Sequence, residues 1–147
     1  MTSEMKQWLD NVRINATDAC SLINKDYPTP EQWVQLLFSP QGIEYCTSRN
    51  YPTIEQWRNI RLTHQQLSDM HIYIDRKLIE LSPEGKIALI GDCHAIIRVN
   101  DTKSLRTIIL LHGATATIIA KNYATIKVEK SADSNVKIIK DQTAIVL

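Results

Sequence analysis

The residues able to do chemistry in this 147-residue chain are few and scattered. Its cysteines are Cys20, Cys46 and Cys93, an odd number at wide spacing that fits neither a disulfide framework nor a zinc motif. Its histidines, His64, His71, His94 and His112, share no i, i+4 helical spacing, so nothing converges as metal ligands must. Cys93 and His94 are adjacent, but neighbours along a strand point to opposite faces. In the alternation described below, Cys93 falls inside and His94 outside. A Cys–His nucleophile pair needs an exposed thiol beside the imidazole, whereas all three cysteines lie on or near apolar patterns, where thiols are buried and inert. Paired carboxylates, as glycosidases use, are missing from the outward strand positions, where Glu129 stands alone. No phosphate-binding glycine loop, dinucleotide motif or nucleophile elbow occurs. The expectation is a chain that is not an enzyme, with no catalytic residue, cofactor or metal ligand to assign.

Binding chemistry offers more. The net charge is +1, which points neither to nucleic acid nor to an acidic membrane as a global partner. From Cys93 onward there are eight Lys or Arg against four Asp or Glu. Arg98, Lys127 and Lys137, with Lys121, alternate outward and form a candidate basic strand face able to touch phosphates. Such lysines also serve simply to solvate a face or blunt an edge, so nucleic acid is the alternative partner and not the favoured one. Tyr51 and Trp57 form a candidate aromatic surface able to grip a peptide or a sugar. The segment Leu62-Thr63-His64-Gln65-Gln66-Leu67 faintly resembles the first helix of a helix-turn-helix, which requires residues 76–81 to be helical.

The elements that must position these groups are clearest in the last third. The runs Ala95-Ile96-Ile97-Arg98-Val99, Ala116-Thr117-Ile118-Ile119-Ala120, Ala124-Thr125-Ile126-Lys127-Val128, Val136-Lys137-Ile138 and Ala144-Ile145-Val146 place an apolar residue at every second position. That is the pattern of strands with one buried face. Each run follows a turn former: Gly91, Gly113, Asn122, Asp133 to Asn135, or Asp141. Ala95 and Ala116 are 21 residues apart, Ala116 and Val136 are 20 apart, and so are Ala124 and Ala144. A period of this length with two or more strands per turn predicts a small β-solenoid, in which like positions stack from coil to coil. Small alanines at the strand starts suit its tight corners. Thr107-Ile109-Leu111 fits the alternation but not the register. An antiparallel β-sandwich or jelly roll is the alternative. At the level of architecture, residues 87–147 resemble short β-solenoid repeat proteins such as bactofilin-like polymer-forming domains and phage or mobile-element structural proteins. The Ala-x-Ile-x-Val spacing that carries the resemblance transfers no functional residue.

Before the strands, residues 3–24 read as an amphipathic helix, with Met5, Trp8, Leu9, Val12, Ala16, Ala19, Cys20 and Ile23 at steps of three and four. Tyr27-Pro28-Thr29-Pro30-Glu31-Gln32-Trp33 then recurs 24 residues later as Tyr51-Pro52-Thr53-Ile54-Glu55-Gln56-Trp57. In each copy Thr is an N-cap and Gln, three residues on, completes a capping box. Trp33 is followed by Val34 and Leu37, but Trp57 by Arg58 and Arg61, so the first copy is expected to be the more buried. Ser39-Pro40 starts another short helix. Residues 63–71 read as one helical turn or a polar linker, and 71–75, 77–81 and 86–90 as strands.

Together these define an α+β chain. A helical region spans 1–64, and a β region spans 71–147 with repeat strands from about residue 87. The helices and strands before Gly91 are expected to cover the N-terminal end of the solenoid. The N-terminus lacks the apolar run of a signal peptide, and no stretch reaches the roughly 18 apolar residues of a membrane span, so a cytoplasmic protein is expected. The expected role is structural or protein-interacting, with a carbohydrate-binding or carbohydrate-active solenoid as a further alternative to nucleic-acid binding. The sequence stops at Val146-Leu147 inside an apolar strand with an open edge. Ile145 and Leu147, with Arg98, Lys127 and Lys137, are therefore the candidate interaction surface, and a homo-oligomer with two C-terminal ends abutting is the expected assembly.

Overall fold

A computed structural model describes residues 7–8, 30–60 and 62–147. Most of the helix expected over 3–24 and the Tyr27–Thr29 start of the first repeat copy lie outside the described residues, as does the side chain of Trp33. The comparison of burial between the two copies therefore falls outside them too. Among the described residues from Pro30 on, four short helices come first: α1 (Pro30–Leu37), α2 (Pro40–Arg49), α3 (Ile54–Arg58) and α4 (His64–Asp69). Nine strands follow: β1 (Ile72–Ile74), β2 (Ile79–Leu81), β3 (Lys86–Ile90), β4 (His94–Val99), β5 (Arg106–Leu111), β6 (Thr115–Ala120), β7 (Thr125–Lys130), β8 (Asn135–Lys140) and β9 (Ile145–Val146). The odd strands form one sheet in order β1-β3-β5-β7-β9, the even strands a second in order β2-β4-β6-β8. Every pairing is parallel. The chain therefore alternates between two sheets as it winds, which is a β-solenoid and excludes the antiparallel sandwich. Because residues 79–81 are a strand, the helix-turn-helix alternative is excluded as well.

The alanine spacing maps directly onto the stacking. Ala95 lies opposite Ala116, and Ala116 opposite Val136. Ala95, Ala116, Ala124 and Ala144 are buried, and Val136 packs against the same core while partly open. The interior between the sheets is filled by Leu89, Ile97, Ile108, Leu110, Ile118 and Ile126, closed at the corners by Ala114, Ala120 and Ala124. Small side chains at corners let the two sheets meet without overpacking.

The odd coil spacing has a cause in one corner. Between β4 and β5 the chain takes residues 100–105, against 121–124 and 141–144 at the same corner of later coils. Arg106 organises the longer loop from a buried position. Its guanidinium donates to the carbonyls of Pro83 (3.1 Å), Asp101 (3.3 Å) and Ser104 (3.0 Å) and pairs with Asp101 Oδ1 at 2.7 Å. In register, Arg106 stands where the next coil has Ile126. β5 keeps a 20-residue register with β7. Thr107 and Ile109 fall outside the inward alternation because they stand on the outward face, opposite Lys127 and Glu129, with Ile109 and Leu111 packed under the helices.

The described helices form a layer against the solenoid. They lie along the flank of the odd-strand sheet. Ile72, Ile74, Ala88, Ile90, Ile109 and Leu111 point out of that sheet and pack with Leu37, Phe38, Ile43, Cys46, Trp57 and Leu67. Strand β5 is thus buried on both faces. A sheet flank of that apolarity must be covered, and the helical layer provides it.

Local chemistry explains the helix starts. Thr53 and Thr63 each begin a capping box: their hydroxyls accept from Gln56 N–H (3.2 Å) and Gln66 N–H (3.1 Å), and the glutamine Oε1 atoms accept in return from Thr53 N–H (2.9 Å) and Thr63 N–H (2.8 Å). Ser39 caps α2 by accepting from Gly42 N–H at 3.2 Å. Three polar clamps then fix the layer to the solenoid. Asn50, in the left-handed region at φ 50°, accepts from His112 N–H at 2.9 Å and donates to both Asp133 oxygens at 3.0 and 3.1 Å. Arg58 grips Asp75 through two hydrogen bonds of 2.8 and 3.1 Å. Lys86 Nζ donates to the Phe38 carbonyl at 2.9 Å. Gly91, at φ 77°, is required at the second clamp: a Cβ there would lie 2.5 Å from Asp75 Oδ1.

Candidate interaction surface

The three basic candidates do not share a face. Arg98 and Lys137 point outward from the even-strand sheet, where the columns run Arg98–Ile119–Ile139 and Ile96–Thr117–Lys137. Lys127 lies on the odd-strand sheet opposite Thr107. Two of the three charges are paired: Arg98 Nε with Glu80 Oε1 at 2.6 Å and Lys127 Nζ with Glu129 Oε1 at 3.1 Å. The alternation gave the outward phase correctly, but it could not say which sheet each strand joins. A cleft of about 430 Å³ at the long corner, lined in part by Arg98, Lys103 and Arg106, has its buried cation fully engaged by Asp101 and backbone carbonyls.

The aromatic surface is a correction. Trp57 is 1% exposed and belongs to the core under the helices. Its ring stacks on Phe38 with centroids 6.3 Å apart and meets Trp8 at 5.8 Å. Arg58 and Asn59 turn outward, while the tryptophan itself reaches inward past them. Tyr51 is half-buried, edge-on to Tyr45 at 6.0 Å. The pair therefore serves packing and offers no exposed platform.

The cysteine and histidine placements hold where they are described. Cys93 is buried and His94 exposed, with His94 Nδ1 sharing a 2.5 Å hydrogen bond with Thr115 Oγ1 of the next coil. Burial pushes the Cys46 thiol up to about 12 and raises that of Cys93, so neither is poised as a nucleophile. His112 Nε2 lies 2.6 Å from the Pro52 carbonyl and therefore carries its proton there, since a carbonyl only accepts.

The last coil is different from the rest. Ile138, Ile139, Ile145 and Leu147 are 38%, 46%, 54% and 65% exposed. Strands β8 and β9 end their sheets, with no strand beyond them among the described residues. Ile145 points outward, opposite Thr125, while Ala144 before it is buried. The final corner is well made. Asp141 accepts from the Thr143 hydroxyl (2.6 Å), Thr143 N–H (2.9 Å) and Ala144 N–H (3.1 Å), and it holds the previous coil through Asn122 N–H (3.2 Å). These donors, the Thr143 hydroxyl foremost, draw its carboxyl down to about 2.

Two functional features escaped sequence reasoning. Lys130 and Lys140 occupy inward columns, opposite the fully buried Leu110 and Ala120. Their ammonium groups fold over the end to the carbonyls of Ser134 (3.2 Å) and Ala144 (3.3 Å). The available signal was the break in alternation: each inward column turns from apolar to lysine in its final coil. Inward charge at an edge is a known means of restraining strand addition. With this geometry in hand, the fold is a β-solenoid carrying a helical layer on one flank. No family model, curated protein or solved structure matches the chain.

Proposed function

We propose that this chain is a non-enzymatic structural or protein-interaction protein that self-associates through the C-terminal end of its solenoid. The observation that carries the reading is a cluster of exposed apolar side chains at one end, with the exposed Leu78, Leu105 and Tyr123 scattered elsewhere. The four of the cluster, Ile138, Ile139, Ile145 and Leu147, sit in the last coil, on or beside sheet-ending strands. Unpaired edge groups beside apolar side chains form a template for another chain, and a copy of the same end is the simplest closing partner. The dispersed and paired basic residues give the nucleic-acid alternative little to act with.

Light scattering of the native chain and of Ile145→Lys tests it. The native chain is expected to associate at micromolar concentration, and the variant to be monomeric with an unchanged circular dichroism spectrum, because Ile145 faces outward. A native chain that stays monomeric, or salt-sensitive submicromolar binding to DNA or RNA by a monomer, would contradict the reading.

A further inference from the structure

We propose that two copies of this chain pair β8 against β8, antiparallel, about a twofold axis at Ile138. The proposal rests on the self-association reading above and adds the strand, the register and the symmetry.

The backbone carries it. Asn135 N–H donates to the Ala114 carbonyl at 3.1 Å, and Asp141 N–H to the Ala120 carbonyl at 3.2 Å. Along a strand, successive residues direct their N–H and C=O groups to opposite sides, so the odd residues from 135 to 141 face β6. The even ones, Val136, Ile138 and Lys140, direct theirs away from it. Among the described residues β8 is the last strand of the even-strand sheet, and no described residue pairs with these groups, which form a ladder centred on Ile138. In antiparallel pairing, directly opposed residues exchange both hydrogen bonds at alternate positions. Ile138 against Ile138, with Val136 against Lys140 on either side, satisfies the ladder of both chains at once. A second copy supplies this complement by symmetry, with no displacement of either chain's own pairing.

Charge selects the arrangement over head-to-tail stacking. A copy added head-to-tail presents its first coil, whose residues toward the solenoid core are Tyr73, Ile79 and Leu81. That would press the ammonium groups of Lys130 and Lys140 against an apolar layer, away from water, with no new partner. In the twofold arrangement the two Lys140 residues stand four positions apart along the paired strands, about 13 Å at 3.3 Å per residue. That exceeds the screening length at physiological salt. On the outer face Lys137 falls opposite Ile139, so no like charges meet directly.

Two substitutions in the full-length chain test the geometry. Ile138→Cys should give an inter-chain disulfide under mild oxidation, because opposed Cα atoms in such a pair lie about 5.5 Å apart. Thr117→Cys, outward on the same sheet but away from its edge, should not. Ile138→Pro removes an N–H that makes no bond within the chain, at a position where an edge strand tolerates proline, together with a side chain in the inward column beside Ile118. It should weaken association at least tenfold while the circular dichroism spectrum stays native. If the native chain associates but the Ile138→Cys variant does not cross-link and Ile138→Pro associates like wild type, the pairing is overturned and self-association stands. If the native chain is monomeric throughout, both are overturned.

Discussion

Asn50 joins the helical layer to the solenoid, and replacing it should loosen that joint by a calculable amount. The residue ends α2 in the left-handed region, where asparagine is tolerated and alanine costs about 1 kcal/mol. Its side chain also accepts the His112 N–H and donates to Asp133. Hydrogen bonds of this kind contribute about 0.5–1.5 kcal/mol each, more when one partner is charged. Because the site is half-exposed, water replaces part of what is lost. Asn50→Ala should therefore cost roughly 2–3 kcal/mol. Asn50→Gly restores the backbone conformation without the hydrogen bonds and should cost about 1 kcal/mol less. Urea unfolding followed by circular dichroism reads both, with a lowered midpoint and an unchanged slope. An Asn50→Ala chain within about 0.5 kcal/mol of wild type would refute the clamp. Equal losses in the two variants would refute the backbone part of the argument.

Other substitutions test the interior and the corners. Ala116→Glu places a carboxylate between Ala95 and Val136 in a packed column and should cost on the order of 3–5 kcal/mol, seen as a collapse of the melting transition; a wild-type melt would mean the faces are misassigned. Thr53→Ala removes the reciprocal capping box and should cost about 1 kcal/mol by urea titration; an unchanged midpoint would refute the cap. Asp141 is held at about 2 in the folded chain, below the unfolded value of about 3.9. Its contribution is therefore fully present above about pH 4 and lost as pH falls toward about 2. The melting temperature should fall across that window, and Asp141→Asn should flatten the fall; parallel acid profiles would contradict the assignment.

What the sequence made legible was whatever repeats locally. The files Ala95, Ala116, Val136 and Ala124, Ala144 gave the coil length, because stacked positions near a corner favour compact apolar side chains turn after turn. The Thr53 cap was readable because both halves of a capping box lie within four residues. The packing of the helices was not, since the flank that receives them alternates between apolar residues of β1, β3 and β5 that look identical to interior ones. Ile109 and Leu111 face the helices while Ile108 and Leu110 face the interior, and no local pattern distinguishes the two destinations. Trp57 was misjudged for a related reason. Its arginine neighbours advertise solvent, but a five-residue helix can turn Gln56 and Trp57 inward and leave Glu55 and Arg58 outside. Arg106 and the inward pair Lys130 and Lys140 break the alternation, so periodicity reads them as noise. Only the register shows that each occupies a core column.

The claim on which the account turns is that the last coil is a self-associating surface. Sedimentation equilibrium of the native chain across nanomolar to micromolar concentrations tests it most directly. A reversible rise from the 16.8 kDa monomer to a species of twice that mass is expected, with no larger fibrous fraction. A single 16.8 kDa species at every concentration, or unlimited growth into sedimenting fibres, would contradict it.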